Sequence, residues 1–156
     1  MAVSLIPVRS PVGVWTIEAC ANGICEIHMP GRKLPTRKGE GAAHAAKAKQ
    51  QLEEYFAGRR NKFTIKRCEG EGSDFRLSVW RAIDEIPYGQ TRTYGEVAAN
   101  IGHPLAFRAV GTANGNNPWP IVTPCHRVVA SNGLGGYGGG LAVKRFLLEL
   151  EGITKY

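Results

Sequence analysis

No Asp or Glu stands between Glu96 and Glu149, while Arg108, Arg127, Lys144 and Arg145 all lie in that stretch. A surface without carboxylates does not repel phosphate, the sequence-independent part of nucleic-acid binding. The chain also lacks any apolar run near the length of a membrane span, so no segment is expected to cross a bilayer. Its first residues, Met1 to Arg9, have neither a basic start nor an adequate apolar stretch, which excludes a secretory signal. Cysteine is sparse: Cys20, Cys25, Cys68 and Cys125. Four cysteines without a signal point to a reducing compartment and to thiols rather than a disulfide framework. The expected location is cytoplasmic, or nuclear in a eukaryote.

What is present fits a soluble globular protein. The 156 residues are 43% hydrophobic and 21% charged, enough for a real core. Twenty basic against thirteen acidic residues give a net charge of +7, which suits a polyanionic partner without requiring one. The densest basic runs, Arg32-Lys33 to Arg37-Lys38 and Arg59-Arg60 to Arg67, read as solvated loops.

Residues 1 to about 70 read as strand-rich with one helix. Val14–Ile17 and Ile24–Ile27 flank Ala21-Asn22-Gly23, and Asn-Gly is a strong hairpin signal. Ala42–Phe56 is rich in Ala, Lys, Gln and Glu and predicts a helix, with Gly58 at its C-terminal cap. Lys62–Arg67 alternates like a strand. Glu69-Gly70-Glu71-Gly72-Ser73 reads as a boundary, giving domains 1–72 and 73–156. In the second, Phe75, Val79, Ala82, Ile83 and Ile86 share one face of a helix that Pro87 ends. Thr93-Tyr94-Gly95-Glu96 has the form of a capping box and starts a short helix to Asn100. Gly102-His103-Pro104 turns the chain into a further helix, Leu105–Ala113. This pair suggests a helix-turn-helix. A last amphipathic helix covers Leu141–Leu150.

The chemistry concentrates at Pro124-Cys125-His126-Arg127, entered by Asn117-Pro118-Trp119-Pro120 and followed by six glycines between Gly133 and Gly140. A thiol beside an imidazole can yield thiolate near neutral pH, and thiolate is the nucleophile. The pair alone is equally consistent with a buried structural cysteine.

With Ile86-Pro87-Tyr88-Gly89, Thr93-Tyr94-Gly95-Glu96-Val97-Ala98, Arg108-Ala109-Val110-Gly111, Asn117-Pro118, Pro124-Cys125-His126-Arg127-Val128 and Gly136-Tyr137-Gly138-Gly139-Gly140 in this order, the chain closely resembles the O6-alkylguanine-DNA alkyltransferases. The resemblance implies an α/β fold: a ribonuclease-H-like N-terminal part and a mostly helical, winged-helix-like C-terminal part with a helix-turn-helix. It implies single-turnover repair, in which O6-alkylguanine, and O4-alkylthymine as a second substrate, is flipped from duplex DNA. The alkyl group passes irreversibly to Cys125. His126 then matches the group that takes the thiol proton, through a water, and Glu151 the carboxylate that orients it; the alternative for Glu151 is a plain surface acid. Asn117 matches a residue tying the active-site turn together.

Tyr94 matches a phenol that stabilises departing guanine, its alternative being an aromatic packed on the core. Arg108 matches the residue that fills the vacated place in the duplex. Ala109, Ala113 and Gly115 match a small-residue face laid in the minor groove. Val128, Tyr137 and Gly138 match the base pocket. Some relatives have serine at the position of Gly138, so its absence leaves room for bulkier alkyl groups or O4-alkylthymine. Lys144 is placed like a family lysine near the site, with a solvated helix residue as the alternative.

The lesion is its own alkyl donor, so no cofactor is implied. Some relatives carry zinc in the N-terminal part, for which Cys20, Cys25, Cys68 and His28 are the candidate ligands here. The Cys20-x4-Cys25 spacing is not that of a tight zinc pair, so no metal is expected. The expected partner is duplex DNA containing alkylated bases, bound by a monomer, with cooperativity left open. A damage-flagging relative that lacks the acceptor cysteine and an unrelated thiol hydrolase are the competing functions. Intact Cys125, His126 and Glu151 oppose the first, and the second leaves Arg108 without a purpose. The chain reads as the minimal repair module without a fused sensor domain.

Overall fold

The structure, a computed structural model, describes residues 2–68 and 73–156. It is mixed α/β, with small sheets and five α-helices. Two compact units divide the chain at residue 69. Of the boundary expected from the sequence, residues 69–73, only Ser73 lies within the described residues.

The first unit is an antiparallel meander, β1 (Ser4–Ser10), β2 (Gly13–Cys20) and β3 (Gly23–His28), covered by α1 (Ala42–Phe56). The Asn22-Gly23 signal closes the β2–β3 hairpin, with Cys20 opposite Gly23. Strand β1 lies outside the two runs that flank the hairpin, and Pro7 stands in its middle. It is tolerated because β1 is an edge strand, paired only with β2 along its length. Near its start, Leu5 exchanges backbone hydrogen bonds with Arg37 on the outer side.

The alternation of Lys62–Arg67 does not make a strand. That segment is extended and meets the sheet at one bridge, Ile24 to Arg67. Its polar anchor is Thr64, which Gln51 of α1 holds through both amide atoms at 2.7 and 2.9 Å. Trp15, Ile17, Ile24, Leu52 and Tyr55 form the centre of this unit's core. Helix α1 ends as the sequence suggests. Gly58 takes φ +74°, its N–H bonds to Tyr55 O, and that of Arg59 bonds to Glu54 O. These two bonds satisfy the last carbonyls of the helix in the Schellman arrangement.

The second unit packs α2 (Asp74–Asp84), α3 (Tyr94–Asn100), α4 (Phe107–Gly115) and α5 (Leu141–Leu150) around a two-strand ladder. Ser73 caps α2 by accepting from Arg76 N. The helix stops at Asp84 rather than Ile86, with Ile86 N bonded to Ile83 O in the final turn. The Thr93–Glu96 capping box forms with both bonds, at 2.9 and 3.0 Å. α4 starts two residues later than expected, because a turn from His103 to Ala106 uses the first of them. Trp80 and Trp119 meet edge to face, and the Trp80 indole N–H donates to Ala113 O.

The ladder positions the chemistry. β4 (Arg92–Thr93) pairs in parallel with β5 (Val128–Val129). The residue that begins α3, Tyr94, is thereby brought beside the strand that leaves the Cys125 turn. Among the described residues no helix is long and apolar enough to cross a membrane.

Gly58 has open space around a would-be side chain but a left-handed backbone. Gly58→Ala should cost about 1 kcal/mol in denaturant unfolding, and Gly58→Asn less, because asparagine tolerates that conformation better.

Candidate active site

A single 3-10 turn, Cys125–Arg127, carries the three central side chains, and α5 packs against it. The approach is strained. Ile121, a buried β-branched residue, has φ +75°, a conformation that costs on the order of 1–3 kcal/mol. Asn117 holds this approach in place. Its amide donates to Thr123 O at 2.7 Å, and its oxygen accepts from Trp119 N at 2.9 Å.

Cys125 is 2% exposed. Burial pushes its thiol up, against hydrogen bonds from Asn117 and Tyr137 and the charge of Lys144. The resting group is therefore a thiol, and chemistry at sulfur requires a base. The next residue along the turn is a candidate base. His126 is fully buried, and its Nε2 lies 2.6 Å from Glu151 Oε2. An ionised carboxylate only accepts, so Nε2 carries the proton. Burial lowers the pKa of His126 against the pull of Glu151. The neutral ring keeps the Nδ1 lone pair for a proton.

Glu151 is the anchor of this cluster. Arg127 Nε donates to Oε1 at 2.8 Å and Nη2 to Oε2 at 3.1 Å, and Gly89 N donates to Oε1 at 3.0 Å. Burial alone would raise this carboxyl, but the hydrogen bonds and charges of His126 and Arg127 outweigh it and hold the pKa at about 2. Arg127 Nη1 reaches on to Ile86 O at 2.7 Å, and its guanidinium lies 5.6 Å from the Tyr88 ring centroid.

Lys144 resolves in favour of a site position. It is fully buried, and its Nζ donates to Val128 O at 2.7 Å and Gly136 O at 3.0 Å. Burial pulls its pKa down to about 8, against the charge of Cys125. It thus fastens the glycine loop to the strand leaving Cys125. Tyr94 is half-buried. Its pKa is raised by burial, opposed by a hydrogen bond from the Gly136 backbone, with Cys125 close enough to add to the rise. Gly135 makes the close approach possible: with φ +76°, a side chain there would stand 2.9 Å from the Tyr94 hydroxyl. Gly138 is different, since an added Cβ meets nothing within 4 Å.

The turn therefore gathers Cys125, His126, Glu151, Asn117, Tyr94, Tyr137 and Val128. Arg108, Ala109 and Gly115 are exposed along α4. Ala113 needs correction: it is 2% exposed and faces the core, because α4 turns Val110, Ala113 and Asn114 inward. Sequence reasoning missed Arg127 and Asn114. Asn114 donates to Cys125 O at 3.3 Å. Arg127 looked like one of several cations in acid-free sequence. A signal did exist, because a charged residue flanked by an apolar strand and a buried cysteine must find a buried carboxylate.

Three sulfurs meet elsewhere. Those of Cys20, Cys25 and Cys68 lie within 4.8 Å of one another, with Cys20 and Cys68 3.0 Å apart. They are a donor set for a thiophilic cation, brought together by the fold despite an unpromising spacing. His28 does not join them, because its two ring nitrogens face Glu18 and Glu26 at 3.0 and 2.6 Å.

Two outcomes follow from these environments. The folded pKa of Glu151 lies below the ordinary 4.5, so its stabilisation is present above pH 4.5 and is lost as pH falls towards 2. Urea unfolding should show a loss on the order of 3 kcal/mol from this group across that window. Glu151→Gln should be less stable at pH 6 but flatter in that window. Separately, hydrogen bonds from Cys68 and Cys25 lower the Cys20 thiol, whereas burial raises Cys25 and Cys68. Brief iodoacetamide treatment at neutral pH, read by peptide mass, should modify Cys20 first and leave buried Cys125 last.

Residues 74–153 match the family model of the 6-O-methylguanine DNA methyltransferase, DNA binding domain. The methylated-DNA–protein-cysteine methyltransferase of Methanosarcina acetivorans is 48% identical over 92% of this chain and 95% of its own length. The O6-methylguanine methyltransferase of Mycobacterium tuberculosis superposes with a TM-score of 0.84 at 42% identity, covering 96% of this chain and 92% of that one. A structure of that organism's protein in complex with DNA superposes at 0.83, with 43% identity over 93% and 90%. On this evidence the chain belongs to the methylated-DNA–protein-cysteine methyltransferase family.

Proposed function

We propose that this protein is a single-turnover DNA repair methyltransferase whose alkyl acceptor is Cys125. The observation that carries the assignment is a buried thiol on the same turn as an imidazole that a buried carboxylate holds by its Nε2–H. The sequence of steps is short. Duplex DNA lies along α4, and the alkylated nucleotide rotates into the pocket, since the O6 carbon is out of reach inside the stack. His126 Nδ1 takes the thiol proton. The Cys125 sulfur attacks the alkyl carbon, an S–C bond forms, and the C–O6 bond breaks with its electron pair left on guanine. The Tyr94 hydroxyl supplies a hydrogen bond to the departing base, an interaction that strengthens as charge develops.

The remaining residues fall into supporting roles. Arg108 occupies the place the nucleotide vacates, with Ala109 and Gly115 allowing close approach to the groove. Tyr137 forms a wall of the base pocket and Gly138 its open side, and the Val128 carbonyl accepts from the base. The room beside Gly138 supports acceptance of larger alkyl groups and of O4-alkylthymine. In this reading the first unit is the ribonuclease-H-like part, and α3 and α4 are the helix-turn-helix. The lesion is the alkyl donor, so the reaction calls for no cofactor.

The test is an equimolar incubation with a duplex carrying one O6-methylguanine, followed by the mass of the Cys125 peptide. One added methyl, restored guanine and no second turnover are expected. Tight lesion binding with no methyl on the peptide would mean a damage-flagging binder instead. The methylated protein should also melt lower than the free one, because a thioether overpacks a buried site at a cost of ~1–3 kcal/mol.

A further inference from the structure

Leu105 and Phe107 stand out on the second unit. Leu105 is 89% exposed and Phe107 47%. The other large apolar side chains left in water, Val14, Leu141 and Tyr156, are scattered along the chain, and single exposed apolar residues need no explanation. These two sit on either side of Ala106, at the start of α4, immediately before exposed Arg108. The core does not call for them, since α4 faces it with Val110, Ala113 and Asn114.

Their backbone is set in advance. Ala106 N bonds to His103 O and Val110 N to Ala106 O, each at 2.9 Å, and Pro104 fixes the turn between. No carboxylate follows until Glu149, so nothing on this segment repels a phosphate backbone. The segment is apolar at its tip and carries no acid along its own length, and it continues the exposed face of α4.

We propose that Leu105 and Phe107 form an apolar wedge that enters the minor groove beside Arg108 and props the base stack open while the alkylated nucleotide is out. The inference rests on the DNA-repair reading above. Proteins that bend or open DNA from the minor groove insert side chains of this kind between base steps. An aromatic face stacks on any base, which suits a protein that must act irrespective of sequence. Arg108 fills the vacated position, Phe107 covers the exposed face of the neighbouring pair, and Leu105 seals the groove wall. Both are positioning residues, acting on the duplex and not on the reacting atoms.

The experiment compares the intact protein with Phe107→Ala, Leu105→Ala, the double variant and Phe107→Trp. Each receives two alkyl donors: a duplex with one O6-benzylguanine flanked by 2-aminopurine, and O6-benzylguanine as the free base. The rate of benzyl transfer to Cys125 is measured on both, with 2-aminopurine fluorescence reporting base unstacking on the first. The double variant should lose about tenfold in rate on the duplex, the size of one lost base–aromatic stack, along with the unstacking signal. Phe107→Trp should restore both, and the free-base rate should be the same in all variants. An unchanged duplex rate in the double variant would overturn the wedge. So would an equal loss on the free base, which would place the defect in the pocket. If the intact protein alkylates Cys125 from neither donor, the repair reading itself falls and the wedge with it.

Discussion

One buried carboxylate organises the second unit. Glu151, at the C-terminal end of α5, accepts four hydrogen bonds from His126, Arg127 and Gly89. Arg127 extends the connection to Ile86 beyond α2. Three segments distant in sequence, the stretch from Ile86 to Gly89, the Cys125 turn and the end of α5, are thus tied together. Removing a single partner from a buried ionic cluster leaves an uncompensated charge and costs more than the cluster's net contribution. The arrangement is better understood as a device for fixing geometry than as a source of stability. Its product is an imidazole with a defined tautomer beside a thiol.

A second set of contacts builds the pocket around that thiol. The β4–β5 ladder carries the start of α3 to the strand that leaves the Cys125 turn. Lys144 then fastens the glycine loop at Gly136 to Val128, and Tyr94 lies against Gly135 and the Gly136 backbone. Lysine is an expensive choice for a fully buried clamp, and its lowered pKa reflects that cost. Its charge also opposes the rise of the Cys125 pKa. Structure and chemistry are coupled here, because the group that closes the loop favours the thiolate.

Much of this was legible in the residues. The Asn22-Gly23 hairpin, the α1 cap at Gly58 and the Thr93–Glu96 capping box each rest on local chemistry and formed as written. What failed depended on tertiary context. Strand β1 has no hairpin signal of its own, and its Pro7 is permitted because the strand lies at the edge of the sheet. Lys62–Arg67 alternates but finds a single bridge, with Gln51 taking the Thr64 N–H and Lys47 its carbonyl, groups a ladder would have used. Ala113, which the resemblance laid with Ala109 and Gly115 against the groove, is buried with Val110 and Asn114. The burial of Lys144 and the grip of Arg127 on Glu151 join residues distant along the chain, which no local pattern encodes. The three-sulfur cluster was undervalued for the same reason, Cys68 being far from Cys20 in sequence and 3.0 Å away in space.

The account turns on the state of His126. If Glu151 holds Nε2–H and burial keeps the ring neutral, Nδ1 is a ready acceptor and Cys125 waits as a thiol. Nitrogen-15 NMR of the imidazole, recorded on the unreacted protein at pH 7, reads this state directly. A neutral His126 ring protonated at Nε2 is the expected result. A doubly protonated ring, or one carrying its proton on Nδ1, would contradict it and remove His126 as the proposed base.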